Sequence, residues 1–303
     1  MRTEYTFLVA GFTLRISLPQ GWDVEALLPS FRGFRCLEEA GEREQLLECT
    51  VYAATESAPG ELPENLLDRT VSDMGYVSLY KYSGTEGYCI TLSAEQEGRL
   101  HVMQADSSFF AVQVYLHENE RLAGHALSSL LRIAYSQAVL CRGGISIHAS
   151  AVFCENRAFL FMGSSGTGKS THSALWMKYV PGTELLNDDN PTIRLIEGKA
   201  YAYGTPWSGK TPCYKPLCFP LGGMVRLKQA PVNRFYRQTE VEAFATILPG
   251  CSVVRQDVAL RTCLYDTLVQ LAEQVPVGVL ECRPDEEAAV MCHRALSLPI
   301  NEE

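Results

Sequence analysis

At 303 residues, with 47% hydrophobic and 20% charged side chains, the chain has an ordinary globular composition, long enough for one large domain or two medium ones. A formal charge of −9 excludes a general nucleic-acid or acidic-membrane surface, because those need a basic face, so any affinity for phosphate must be local. No run of about eighteen apolar residues occurs, so no membrane span is expected, and the scattered cysteines, with no C-x-x-C, read as free thiols in a reducing cytoplasm.

Residues 1–117 are read as a β-rich domain. The N-terminal MRTEYTFLVAG alternates polar and apolar residues, which fits a strand rather than a signal peptide. Tyr5 to Leu18, Leu46 to Ala53, Tyr76 to Tyr82, Tyr88 to Ala94, Arg99 to Ala105 and Phe109 to Leu116 carry aromatic and β-branched residues, several with period two, and predict an antiparallel sheet. Ser57-Ala58-Pro59-Gly60 reads as a loop. Leu66, Leu67, Val71 and Met74, with Pro63 in a first turn, predict a helix over Leu62 to Met74.

The pattern changes from Arg121 to Cys141, where Leu122, Ala126, Leu127, Leu130, Leu131, Ala134 and Ala138 mark a helix stopped by Gly143-Gly144. The domain boundary is placed before it, giving 1–117 and 118–303, with this helix buried between the two. Ile145 to Cys154 and Ala158 to Met162 then read as two strands of a hairpin turning at Glu155-Asn156-Arg157.

The second strand runs into Gly163-Ser164-Ser165-Gly166-Thr167-Gly168-Lys169-Ser170-Thr171, which fits G-x-x-x-x-G-K-[ST] and is followed by a helical stretch from His172 to Tyr179. Each residue type has a physical reason. The glycines take backbone angles that turn successive N–H groups inward around a polyphosphate, and the helix behind them aims its unpaired amides at the same anion. Lys169 reaches the β- and γ-phosphates, and Ser170 offers a hydroxyl to Mg²⁺. A nucleoside triphosphate and Mg²⁺ are the ligands this predicts; no base-reading motif is visible to single out ATP. His172, just inside the helix, is read as an exposed surface residue.

Thr183 to Asp189 is a short strand ending in two carboxylates, placed where a nucleotide enzyme keeps a metal-holding or base carboxylate. A hairpin follows at Thr192 to Ile196 and Ala200 to Tyr203. The Gly/Pro-rich loop from Gly204 to Pro212 makes Lys210 a candidate for contacting the transferred phosphate. Cys213 and Cys218, just beyond, are the cysteine pair to watch. Met224 to Leu227 and Val277 to Glu281 read as strands, and Thr239 to Leu248, Gln256 to Gln274 and Asp285 to Leu296 as helices.

Ser146-Ile147-His148-Ala149, the glycine-rich turn and Asn187-Asp188-Asp189 together resemble the catalytic domain of HPr kinase/phosphorylase. The turn is also similar to that of ATP-dependent phosphoenolpyruvate carboxykinase. The resemblance covers about residues 119–303. It implies an α/β fold with a P-loop core of HPr kinase and phosphoenolpyruvate carboxykinase type and a mixed sheet, to which the N-terminal β-rich α+β domain is added. It also implies Asp189 as the base that takes a hydroxyl proton, His148 as the histidine that assists it, Ser170 on the metal, and frequent assembly into homo-oligomers; Asp188, the first carboxylate of the pair, is expected to hold the metal with Ser170. The function expected is a kinase acting on a hydroxyl-bearing acceptor, a protein serine or a small molecule, with residues 1–117 helping to choose it. The alternatives are a carboxykinase-like lyase and a catalytically silent nucleotide-binding module.

Overall fold

A computed structural model describes residues 1–36, 43–55, 60–72, 75–84, 87–120 and 122–297. The chain divides into two compact units, Met1–Ala138 and Val139–Glu303, and the fold is mixed α/β.

In the first unit the strands are β1 (Arg2–Val9), β2 (Phe12–Pro19), β3 (Arg35–Cys36), β4 (Gln45–Ala53), β5 (Asn65–Ser72), β6 (Gly75–Lys81), β7 (Tyr88–Ser93), β8 (His101–Ala105) and β9 (Ala111–Leu116), with helices α1 (Val24–Leu27) and α2 (Ala123–Ala138). They form one sheet in the order β3-β1-β2-β4-β9-β8-β7-β6-β5. The expected antiparallel sheet is therefore mixed, because β4 runs parallel to both β2 and β9. Phe7, Phe12, Leu14, Ile16, Val51 and Val114 alternate onto one buried face. Helix α2 packs on β4, β7, β8 and β9, so it belongs with the first unit.

The helix expected over Leu62 to Met74 is instead the edge strand β5, paired antiparallel with β6 from Asn65↔Lys81 to Ser72↔Gly75. Leu66 and Val71 remain exposed, so their helical spacing buries no face, and the ladder to β6 decides the conformation. Met74, and Ser57 to Pro59 of the expected loop, lie outside the described residues.

The second unit contains β10 (Gly144–Ser146), β11 (Ala149–Cys154), β12 (Arg157–Met162), α3 (Lys169–Tyr179), β13 (Glu184–Asp189), β14 (Thr192–Ile196), β15 (Lys199–Tyr203), β16 (Cys218–Gln229), β17 (Arg234–Arg237), α4 (Glu240–Ile247), α5 (Val258–Gln274), β18 (Val277–Cys282) and α6 (Glu286–Ser297). The sheet runs β10-β14-β15-β16-β12-β11-β13, with β18 on β16 and β17 on β18. Strand β16 is longer than expected and joins two regions. Its first residues pair antiparallel with β15, and its later ones pair parallel with β12 and β18. The β11–β12 hairpin turns at Glu155 and Asn156, both with positive φ, the two-residue connection whose twist suits paired strands.

Helices α3 and α6 cover one face of this sheet. Val152, Cys154, Phe159, Phe161, Val225, Leu227 and Leu280 from the strands meet Trp176 and Val180 of α3 and Ala289, Cys292 and Leu296 of α6 in one fully buried cluster. His172 lies inside this layer and is not on the surface as expected. The ring of Phe161 meets it edge-on at 4.7 Å, and Trp176 Nε1 donates to its Nε2 at 3.1 Å. The cause is the pitch of α3, which puts positions 172, 173 and 176 on the face toward the sheet.

The free-thiol expectation is corrected at two positions. Cys141, in the turn before β10, and Cys263 of α5 form a disulfide. Nothing in the local sequence pairs them, because they are 122 residues apart and are joined only by the packing of α5 on that turn. Cys213 and Cys218 stay unlinked: the buried Cys213 thiol donates to the Leu186 carbonyl at 3.3 Å, and Cys218 is exposed. Among the described residues, no helix is long and apolar enough to cross a membrane.

Burial pushes the His172 imidazole down to about 4, and the bond from Trp176 requires its Nε2 to be unprotonated. Between pH ~6.5 and ~4 the unfolded chain therefore binds a proton that the folded chain refuses, and stability falls as pH falls through that window, by about 3 kcal/mol at its acid end. Urea midpoints measured at pH 7, 5.5 and 4.5 are expected to decline less steeply in His172→Gln, which keeps an acceptor for Trp176 but does not titrate. Equal slopes would show that His172 does not titrate in this way.

Candidate functional site

The site is built at the ends of three strands. Strand β11 lies between β12 and β13, antiparallel to both, so Ala149 faces Met162 on one side and Asp189 on the other, and Ser150 faces Asp188. This register brings the residue before β11, the turn after β12 and the acidic pair ending β13 to one edge of the sheet.

Gly163, Gly166 and Gly168 all have positive φ, and Gly168 is the N-cap of α3. A side chain at Gly163 would press on Thr167, whose hydroxyl donates to the Ser164 carbonyl and closes the turn internally. From outside, Gln229 Nε2 at the end of β16 donates to the Gly166 carbonyl at 3.2 Å. The first helical bond is His172 N–H to the Gly168 carbonyl at 2.8 Å, so the amides of Lys169, Ser170 and Thr171 precede it and have no acceptor within α3. Ser164, Ser165, Gly166, Ser170 and Thr171 are exposed around this opening. A turn with these amides and the positive end of a helix is suited to an anion.

Lys169 folds back over the turn. Its ammonium donates to the Gly163 carbonyl at 3.0 Å, to the Ser164 carbonyl at 3.4 Å and to His148 Nε2 at 2.9 Å. An ammonium only donates, so His148 accepts at Nε2 and carries its proton on Nδ1, which lies 3.0 Å from Asp189 Oδ1. Lys169, His148 and Asp189 are thus one directed chain of hydrogen bonds. Burial pushes the Lys169 ammonium below its usual range and Arg226 adds to the effect, while Asp189 and Asp188 oppose it. His148 is itself fixed through its backbone, whose N–H donates to the Gly250 carbonyl at 2.8 Å.

The acidic pair splits across the sheet because neighbouring residues of a strand point to opposite faces. The Asp189 side chain reaches His148. Asp188, which is buried, accepts Ser150 Oγ–H on Oδ1 at 2.9 Å and the Thr211 backbone N–H on Oδ2 at 3.3 Å. Thr211 belongs to the expected Gly/Pro loop, which is bound directly along β13. Gly209 N–H donates to the Asp188 carbonyl at 3.1 Å, and a Cβ at Gly209 would stand 2.7 Å from that same oxygen, so only glycine allows the approach. Lys210 is exposed between these two anchors.

Asn187 organises this region, and its role was not legible beforehand. Its fully buried amide donates to the Thr205 carbonyl at 3.2 Å and the Trp207 carbonyl at 2.9 Å, and its Oδ1 accepts the amides of Asp189 at 3.1 Å and Asn190 at 2.8 Å. One side chain therefore ties the loop to the strand end that carries both carboxylates. The only sequence signal was an Asn beside an Asp pair, which ordinarily marks a turn.

No family model matches the chain, and no curated protein matches it. Among solved structures, the HPr(Ser) kinase/phosphatase from Coxiella burnetii is similar at 14% sequence identity, over 49% of this chain and 95% of that one, with a TM-score of 0.29.

Replacing Asn187 with Ala removes five hydrogen bonds and leaves buried donors and acceptors unpaired. Asn187→Ala is expected to lower stability by about 2–4 kcal/mol in urea unfolding and to increase proteolysis within 205–212. Unchanged stability with an equally protected loop would show that Asn187 does not organise it.

Proposed function

We propose that this protein is an ATP- and Mg²⁺-dependent phosphotransferase that moves the γ-phosphoryl group of ATP onto a hydroxyl of a protein serine or a small molecule. The observation that carries this reading is the chain Lys169–His148–Asp189, with contacts of 2.9 and 3.0 Å, at the mouth of the glycine-rich turn. It places a cation suited to phosphate and a carboxylate suited to a proton on two sides of one imidazole.

In this reading the amides of Gly163–Ser170 hold the phosphate tail of ATP, and the Lys169 ammonium exchanges the Gly163 carbonyl and His148 for phosphate oxygens. Asp189 takes the proton from the acceptor hydroxyl as its oxygen attacks the γ-phosphorus. The bond to the β,γ-bridging oxygen breaks, and ADP leaves. His148, donating from Nδ1, keeps Asp189 aimed. Lys210, carried on the loop that holds Asp188, is a second cation for the transferred group.

Mg²⁺ requires hard oxygen ligands, and Ser170 and Asp188 supply them. Asp188 has committed only two of its roughly four acceptor sites, to Ser150 and Thr211, and an ion held by one carboxylate, one hydroxyl and substrate phosphates fits the usual preference. When bound, Mg²⁺ would offset the charge that develops on the transferred group.

Two variants separate the roles. Lys169→Ala is expected to weaken Mg·ATP binding, measured by calorimetry, by about 10- to 100-fold, the worth of a charge-assisted bond. Asp189→Asn is expected to leave that binding nearly intact and to slow release of γ-labelled phosphate, with water or a cell-extract component as acceptor, by about 10²- to 10⁴-fold. A parent protein that does not bind Mg·ATP, or an Asp189→Asn variant that turns over at the parent rate, is the contrary result.

A further inference from the structure

Two buried hydroxyls beside this site have no part in the phosphotransfer steps. Ser150 of β11 and Ser173 of α3 are each 1% exposed. Ser150 Oγ lies 2.9 Å from Asp188 Oδ1 and 2.6 Å from Ser173 Oγ. A carboxylate only accepts, so Ser150 gives its single proton to Asp188, and the 2.6 Å contact then requires Ser173 to be the donor to Ser150. The relay has one direction, from Ser173 through Ser150 to Asp188.

Its surroundings make chance an insufficient explanation. Val152 and Cys154 continue the same row of β11 into the apolar cluster around Trp176, where alanine would pack as well as serine. Hydroxyls are costly in such a layer unless they are paired, and here both are paired in a line that ends on a carboxylate. The ladder places Ser150 directly opposite Asp188, and α3 packs on β11 and β13 across that point. The other oxygen of Asp188 is held by the Thr211 amide at 3.3 Å, so the carboxylate is gripped from the helix side and from the loop side. Ser173 lies one turn along α3 from Ser170, the hydroxyl at the helix start.

We propose that Ser150 and Ser173 are positioning residues. Their relay fixes the carboxylate of Asp188 relative to the first turn of α3, so that Asp188 and Ser170 present oxygens to the same Mg²⁺ ion. The role of the ion rests on the phosphotransfer reading, whereas the grip on the carboxylate does not.

The test uses the full chain and the near-isosteric Ser150→Ala. The variant is expected to raise the Mg²⁺ concentration that half-saturates ATP binding about tenfold, the worth of one bond to a charged group, while ATP affinity at saturating Mg²⁺ hardly changes. Ser150→Thr is expected to restore the parent value, and Ser173→Ala to produce a smaller rise. In an Asp188→Asn background Ser150→Ala should add nothing, because the partner it orients is gone. A crystal structure of Ser150→Ala without nucleotide gives a second readout, in which the Asp188 side chain leaves its present position. An Asp188 that stays in place in that structure, or an unchanged Mg²⁺ requirement in a variant whose parent binds Mg·ATP, overturns the proposal. A parent that binds no ATP while Asp188 still moves in Ser150→Ala supports the grip and removes the phosphotransfer reading instead.

Discussion

The contact between the Lys169 ammonium and His148 depends on one register, that of β11 between β12 and β13. Because Ala149 faces both Met162 and Asp189, the residue just before β11, the turn just after β12 and the last residue of β13 arrive at the same edge. A slip of one residue in the β11–β13 ladder would turn the side chains of β13 to the opposite face and exchange Asp188 for Asp189. The apolar layer prevents this slip: Val152, Cys154, Phe159 and Phe161 must point toward Trp176, and burying them fixes which way the polar residues at the strand ends point.

The same alternation divides the acidic pair into two environments. Asp189 reaches an imidazole that is 47% exposed at its side chain, beside the opening of the turn. Asp188 is enclosed, with Ser150 on one oxygen and a loop amide on the other. Two chemically identical residues adjacent in sequence thereby sit in different surroundings, one beside an imidazole at the opening of the turn and the other enclosed and held on both oxygens. Asn187 and Gly209 hold the loop close enough for this division, the first by its five hydrogen bonds and the second by having no side chain.

Much of the arrangement could be read from the chain alone where local spacing determines it. The strand–turn–helix from Phe159 to Tyr179, the hairpin at Glu155-Asn156 and the strand ending in Asp188-Asp189 all depend on neighbours in sequence. What could not be read depends on distant partners. Leu66 and Val71 have a helical spacing, yet the ladder to β6 makes their segment an edge strand. His172 sits at a helix start, where exposure is common, and only Phe161 and Trp176 reveal that it is buried. Cys141 and Cys263 meet because α5 packs near the turn before β10. Ser150 and Ser173 look like small core residues until the register sets one opposite Asp188 and the helix brings up the other.

Lys169 is satisfied by two carbonyls and a histidine, so a phosphate tail in the turn would have to replace bonds that already exist. A crystal structure with Mg²⁺ and a non-hydrolysable ATP analogue tests this most directly. The triphosphate should lie in the turn from Gly163 to Ser170, with Lys169 Nζ withdrawn from His148 onto phosphate oxygen and Asp189 still held by the imidazole. A nucleotide bound elsewhere, or an empty turn with Lys169 still on His148, would contradict the assignment.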